Sequence, residues 1–368
     1  LIASAAGQGQ LAVRQASRAE VLLDRPALSR LLAARAAEAA GDLDSAQIHY
    51  DAMLEDPKTR LVAQRGLASL AEARGEDQLV ITHAGDAFER GGQARWAYEA
   101  LFAAQVRAAR WGEAETALSE GERRGHVDTP AARRMRAVLL TAKAKACEGA
   151  DPDQAARLAE KAAEASPGFA PAAELAGRLL AEQRKHRRAS EILEEAWRHA
   201  PHPALARTYG ALRRSDTKAK RAERLRHLAS LNPDHRESRL LLAETALDQS
   251  NRDAAQAALS PLTAQPPVSA RVCALAARLA QLNDDEAGAR RWMARAAHAP
   301  GEADWSDIDE AGRAFDFTDA DWRRLVDSWG RDAALIHPRH ERFEIPAAAA
   351  PDSLLLEAPS RSEPGKTA

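Results

Sequence analysis

Small residues recur along this chain at a fixed step, and polar turn signals travel with them. Gly7, Gly41 and Gly75 stand 34 apart, and the same step reaches Ala109. Five residues further on, the phase gives Ala12, Ala46, Val80 and Ala114. The settings match: AAGQGQLA, AAGDLDSA, EARGEDQLV and RAARWGEA. Each predicts the end of one helix, a Gly-polar turn, and a second helix that opens on a small residue. A larger side chain there would force the two helices apart.

The second half keeps the rhythm with another marker. Pro167, Pro201, Pro233, Pro266 and Pro300 are spaced 34, 32, 33 and 34. Twelve residues before four of them stand Ala155, Ala189, Ala254 and Gly288; before Pro233 the same offset falls on Arg221, beside Ala222. Proline cannot continue a helix but starts the next one well, because its missing N–H is not needed there. Each unit therefore predicts helix, tight turn, helix, Pro-marked turn. Around GERRGHVDTPAARR the phase slips by seven residues, which predicts a longer connection between the third and fourth units.

This resembles the tetratricopeptide (TPR) repeat: 34 residues, small residues at the helix–helix contact, proline at the close. The predicted fold is all-α, a right-handed α-solenoid of TPR-like helix pairs with a C-terminal cap. A half unit and eight units span 1–302, and the phase of Gly7 expects a helix that begins before Leu1. The stretch 303–343 is acidic and holds Trp305, Trp322 and Trp329. Within it, Thr318 predicts a helix start, and Trp322, Leu325, Val326 and Trp329 fall on one face. The expected role is to cover the last repeat's apolar end. The tail 344–368, rich in Pro, Ala and Ser, reads as disordered, with SLLLEAP as a short docking segment.

Composition agrees and excludes some classes. Of 368 residues 87 are alanine, and aromatics make up only 4%, as a helical array built on close contacts requires. With 52 Lys+Arg against 54 Asp+Glu, the net charge of −2 lacks the basic footprint of a general nucleic-acid binder. Cys147 and Cys273 form no metal spacing and read as small packing residues. No apolar run is long enough to cross a membrane.

Enzyme motifs are missing: there is no P-loop, no GxSxG and no HExxH. Gly7-Gln8-Gly9-Gln10-Leu11-Ala12 fits a loose dinucleotide fingerprint, but no strand precedes it and the repeat accounts for it. His199-Ala-Pro-His202 reads as a solvated turn, and His337-Pro-Arg-His340 as part of a mobile segment. No catalytic residue, cofactor site or metal site is predicted. One electrostatic feature remains. From Arg178 to His227 basic residues outnumber acidic ones fourteen to six. Arg184, Lys185, Arg187 and Arg188 are the candidate partner-binding face, for an acidic peptide or a carboxylate-bearing small molecule.

Several blocks carry a more specific likeness. LIASAAGQGQLAVRQASRAEVLL, LLAARAAEAAGDLDSAQIHYDAMLEDPKTRLVAQRGLASLAEARGE, ARWAYEALFAAQVRAARWGEAETAL and LNPDHRESRLLLAETAL together resemble the HemY-type proteins of Gram-negative bacteria, in order across most of 1–300. Many members carry a Cys-containing segment after the repeats, whereas Trp305–Trp329 has no cysteine. The resemblance implies an inner-membrane protein, anchored by N-terminal spans ahead of the repeats, with the TPR domain on the cytoplasmic side. It also implies a non-catalytic scaffold that binds enzymes of a late step of protohaem biosynthesis, and with them porphyrin. The alternative is a TPR adaptor in another cell-envelope assembly process, unrelated to haem. An unrelated flavoenzyme bears the same name, but this chain lacks its βαβ dinucleotide unit.

Overall fold

The computed structural model describes residues 8–22, 26–91, 94–213, 215–301 and 317–337, and all regular structure among them is helical. After α1 (Gly9–Leu22) come eight pairs. They are α2 (Pro26–Ala40) with α3 (Leu43–Asp51), α4 (Arg60–Ala73) with α5 (Asp77–Arg90), α6 (Arg95–Arg107) with α7 (Trp111–Arg123), and α8 (Thr129–Cys147) with α9 (Pro152–Ala165). Then follow α10 (Ala170–Glu182) with α11 (His186–His199), α12 (Pro203–Ala211) with α13 (Lys218–Ser230), α14 (Arg236–Asp248) with α15 (Arg252–Ala264), and α16 (Ala270–Leu282) with α17 (Glu286–Ala296). Each helix packs on the next in the chain. First helices also meet first helices, α8 on α10, α10 on α12, α12 on α14 and α14 on α16. This nearest-neighbour stacking makes the chain a TPR-type α-solenoid.

The turn inside each pair explains the step of 34. Gly41, Gly75 and Ala109 all have left-handed backbone, with φ of +79°, +72° and +54°. That lets the next N–H reach back across the helix end: Asp42 N to Ala37 O at 3.0 Å, Glu76 N to Ala71 O at 2.9 Å, and Arg110 N to Gln105 O at 2.9 Å. The same closure recurs at Arg184, Ser250 and Asp284, where φ is +62°, +55° and +62° although none is glycine. The following residue then starts the second helix; Asp42, Asp151, Asn251 and Asp285 cap it with their side chains.

Four residues past that start, every second helix but one turns a small or β-branched side chain inward. Ala46, Val80, Ala114, Ala155, Ala189, Ala255 and Ala289 are all buried. In the repeat before Pro266 the proline spacing points to Ala254, which is exposed; Ala255 takes the place. The helix start sets the phase: before Pro300, too, the position four past the start is Ala289, one later than the Gly288 that the proline spacing gives. Glycine notches complete the fit. A Cβ on Gly66 or Gly121 would lie 2.3 Å from the Tyr50 or Tyr98 ring, and one on Gly177 would lie 2.8 Å from Leu193. Large side chains therefore seat on bare backbone, which is how so few aromatics fill the core.

Two features differ from the sequence reading. The slip before α8 is not a longer connection. Only residues 124–128 separate α7 from α8, and the surplus lengthens α8 to 19 residues against 13 in α6 and α10. Asp128 caps it, Pro130 sits in its first turn, and an Ala/Leu-rich run sustains it. The second difference concerns the cap. α18 (Asp319–Leu325) and a π-helical turn (Val326–Arg331) do not cover the last repeat; they pack on α8, and α18 also meets α6. Trp322, Leu325 and Val326 join the main core there, at 3%, 1% and 2% exposure. An apolar helix face binds where a groove accepts it, and the lengthened α8 supplies one. The predicted half-helix before Leu1, Trp305 and the tail 344–368 with SLLLEAP lie outside the described residues. No described helix is long and apolar enough to cross a membrane.

Candidate functional site

The first helices of successive pairs line a groove of about 930 Å³. α4 contributes Arg65, Ser69 and Glu72, at helical spacing on one face; α6 contributes Trp96 and Glu99; Asp128 closes the rim where α8 begins. The floor is aromatic. Tyr98 stacks on Phe102 with centroids 5.8 Å apart, and His126 stacks on Tyr98 at 5.7 Å and 16°. The Arg65 guanidinium lies 5.8 Å from the centre of the half-buried Trp96 ring. Burial pushes the Tyr98 phenol up to about 12. The groove thus presents an aromatic floor beside side chains of both charges.

At one end the groove is continuous with the C-terminal segment, whose Arg331 belongs to its lining. Thr318 and Asp321 form a reciprocal capping box that starts α18. Trp329 stacks on Phe169, centroids 5.7 Å apart. Gly330 sits so close to α8 that a Cβ would lie 2.7 Å from Met135 Cγ. Arg134 donates from Nε to the carbonyls of Trp329 and Gly330, each at 3.1 Å, and from Nη2 to that of Arg331 at 3.0 Å. A guanidinium thus meets the negative end of the helix dipole and its unsatisfied carbonyls. Sequence reading found the apolar face of this segment but not its seat, because Arg134 and Trp329 are 195 residues apart.

The predicted basic face does not form one patch. Arg184 lines a second groove of about 1010 Å³, together with Arg178, Arg207, Arg213 and His186, against the single carboxylate Glu182. Lys185 starts α11, and its carbonyl accepts from Ala189 N at 3.1 Å. Arg187 is 94% exposed and pairs with Glu191 at 3.1 Å. Arg188 reaches across to the carboxylates of Glu160 and Glu164. Arg207 and Arg213, which complete the groove, come from the next pair. Adjacent units bring together residues some 20 to 30 apart, and of the basic run Arg184 joins this groove.

Many charges are already committed between units. Arg74 pairs with Asp44 at 2.7 Å, Arg107 with Asp77 at 2.7 Å, Arg178 with Glu148 at 2.8 Å and Arg278 with Asp248 at 2.9 Å. Gln183 meets Asp153 at 2.9 Å in the same way. Each pair is separated by 30 residues, a rung one unit long. Exposed pairs of this kind contribute about 0–1 kcal/mol each. Arg271 is bound more deeply: it is bidentate to Glu237 at 2.8 Å and also reaches Glu244 at 2.9 Å.

The remaining candidate chemistry is structural. The histidine turn is only half solvated. His199 pairs with Glu195 at 3.0 Å, but His202 is buried and its Nδ1 accepts from Ala204 N at 3.2 Å, capping α12. His337 is also buried, 5.9 Å from the Phe317 ring; His340 lies outside the described residues. Cys273 is buried in an apolar cluster and Cys147 is half-buried at the end of α8; burial pushes both thiols up. Among the described residues no group of His, Cys, Asp and Glu could hold a metal ion. Of the loose dinucleotide fingerprint, Gly9 opens α1 and Ala12 is buried in its contact with α2.

Comparison with known proteins gives the following. No protein-family model matches the chain. A stretch of 145 residues, 39% of this chain, is 30% identical to the probable magnetosome protein Mms48 of Magnetospirillum gryphiswaldense, of which it spans only 32%. Among solved structures, the chain is similar to a tetratricopeptide repeat protein from Parabacteroides merdae, with a TM-score of 0.28 and 10% identity over 82% of this chain and 98% of that one. It is also similar to yeast Tom70, with a TM-score of 0.28 and 14% identity over 73% of this chain and 68% of that one.

Proposed function

We propose that this chain is a non-catalytic docking scaffold, and that its clients are enzymes of a late step of protohaem biosynthesis gathered at the bacterial inner membrane, with the repeats on the cytoplasmic side. One observation carries the docking part. The groove of first helices holds a helical segment from elsewhere in the chain, seated by aromatic stacking and by Arg134 on its terminal carbonyls. A surface that seats one amphipathic helix is built to seat others of that chemistry. The haem part is supported by the HemY-like blocks across 1–300. Direct binding of porphyrin by the repeats is the narrower claim.

The test is cross-linking in intact cells, detergent extraction and capture of the tagged full-length protein. Ferrochelatase or protoporphyrinogen oxidase among the captured proteins is the expected result. The second reading is a TPR adaptor in another cell-envelope assembly process, unrelated to haem; the partial likeness to a magnetosome protein keeps a role outside haem in view. Capture of envelope-assembly proteins with neither haem enzyme would establish that reading and end the first. For porphyrin itself, titration with protoporphyrin should shift the Soret band; a flat titration at micromolar protein removes direct binding.

A further inference from the structure

Three features of the docked C-terminal segment mark it as a ligand rather than a finished part of the core. Its contacts follow the pattern of a bound amphipathic helix: Trp322, Leu325 and Val326 are buried at i, i+3 and i+4, and Trp329 at i+7 lies flat on Phe169. Its seat is made by elements far away in the chain, α6, α8 and the turn before α10, so nothing local commits it to that place. The fit also leaves polar atoms unmatched. Trp329 Nε1 and Arg323 Nε are both buried without a hydrogen-bond partner among the described residues. An indole N–H removed from water without an acceptor weakens the docked state by its desolvation cost.

We propose that the groove on α6 and α8 is a receptor for an amphipathic helix of a client protein, and that Phe317–His337 occupies it in cis as a displaceable stand-in. The client helix carries two aromatic anchors seven residues apart with branched apolar residues between them. It ends where its last carbonyls meet Arg134. A small residue follows the second anchor, because the seat beside Met135 has no room for a Cβ at Gly330. The open part of the groove, with Arg65, Trp96 and Glu99, continues from the same seat and reads the flanking residues of the client. This rests on the docking-scaffold reading and adds to it the class of ligand and its competitor.

Tethering makes the cis segment a strong competitor at modest intrinsic affinity, since an attached ligand acts at an effective concentration of about millimolar. The test uses the full chain and a fluorescent peptide with the sequence of residues 317–337. The intact protein binds it weakly. Trp329→Ala in the chain frees the seat, and affinity for the wild-type peptide rises at least about tenfold. Adding Arg134→Ala to that variant removes the gain, and a peptide carrying both Trp→Ala changes does not bind. Equal weak binding by the intact and Trp329→Ala proteins, with helix content and thermal midpoint unchanged, overturns the proposal.

Hydrogen exchange of the intact protein gives a second reading that does not depend on any variant folding. Amides of residues 319–331 should exchange through openings that leave α8 protected. Exchange of the segment and α8 as one cooperative unit makes the segment permanent core and also overturns the proposal. A dimer that forms as peptide binding disappears would assign the groove to a second copy of the chain instead. Client capture by a protein whose freed groove ignores the peptide would sink this inference and leave the scaffold reading intact. Peptide binding without client capture would do the reverse.

Discussion

Gly41→Ala, Gly75→Ala and Ala109→Gly place the same chemical change at one structural position with opposite sign. All three residues sit at the closure of a first helix, with φ of +79°, +72° and +54°. A Cβ added at Gly41 or Gly75 would meet nothing within 4 Å, so the cost there is conformational and contains no packing component. The left-handed region costs an L-residue about 1–2 kcal/mol. Alanine recovers about 0.4–1 kcal/mol by narrowing the unfolded ensemble. Each Gly→Ala change should therefore destabilise by about 1 kcal/mol. Ala109→Gly should stabilise by about the same amount, and Ser250→Gly likewise. The Arg74–Asp44 pair ties the two turns together, so the double variant should depart from the sum of about 2 kcal/mol by the coupling between them. Urea unfolding followed by helix ellipticity reads the shift in midpoint at constant slope. Destabilisation by Ala109→Gly, or no effect of Gly41→Ala, would refute the claim that one left-handed closure repeats along the chain.

Other substitutions test packing, charge and the second groove. Gly66→Ala and Gly121→Ala have helical backbone and fail for a different reason: the new Cβ lies 2.3 Å from a buried tyrosine ring, and overpacking should cost about 1–3 kcal/mol in the same urea assay. Arg271→Met leaves Glu237, 6% exposed, facing Glu244 without its cation. A broken buried pair costs about 3–5 kcal/mol, and partial exposure of the guanidinium lowers that to about 2–3 kcal/mol, shrinking further as acid neutralises a carboxylate. At Glu148 burial raises the carboxyl pKa, but hydrogen bonds from Arg178 and Lys145 outweigh it and hold the group below its ordinary 4.5. The stability it contributes is complete above that value and is lost as pH falls through the folded pKa, so urea midpoints of wild type and Glu148→Gln should converge in acid. Arg184→Gln with Arg213→Gln should weaken binding of an acidic peptide and flatten its salt dependence in fluorescence titration, whereas Arg187→Gln with Arg188→Gln should leave both unchanged.

The pairing of helices was legible because each unit repeats its own instructions. A glycine closes the first helix, a capping residue opens the second, and a small side chain turns inward four residues later. Each of these acts within a dozen residues, so one sequence displays them many times. In the second half the closure falls on Arg184, Ser250 and Asp284, where glycine no longer marks it and proline spacing served instead. That substitute fell one residue short at Ala254 and again at Gly288. The grooves were not legible, because they are made between units. Arg207 meets Arg184 only through the stacking of α12 on α10, and Trp329 meets Phe169 only after the chain returns from its far end. A run of like charge in the sequence, such as Arg184 to Arg188, is dispersed by helical rotation over different faces.

Two of the places where the period fails are places where the surface opens. Regular positions in a stacked array are committed: small residues to the helix contacts, and Arg74, Arg107, Arg178 and Arg278 to rungs one unit long. A ligand needs surface that stacking does not consume, and an irregular unit supplies it. The lengthened α8 gives Arg134 and Met135 on its extra turns, and the C-terminal helix sits there. A second irregular unit is that of α12, a first helix of only 9 residues against 13 in α10 and α14, joined to α13 by the connection that holds Arg213 and Ser215. It leaves the arginine-lined groove, with Arg213 and Ser215 of that connection in its wall. Regularity in such a chain encodes the scaffold, and departures from it encode what the scaffold holds. If that holds, restoring the period at α8 by deleting seven residues from its first turns should leave the helix pairs folded by ellipticity and abolish peptide binding. Loss of the whole array instead would show that the extra turns serve stacking and not recognition.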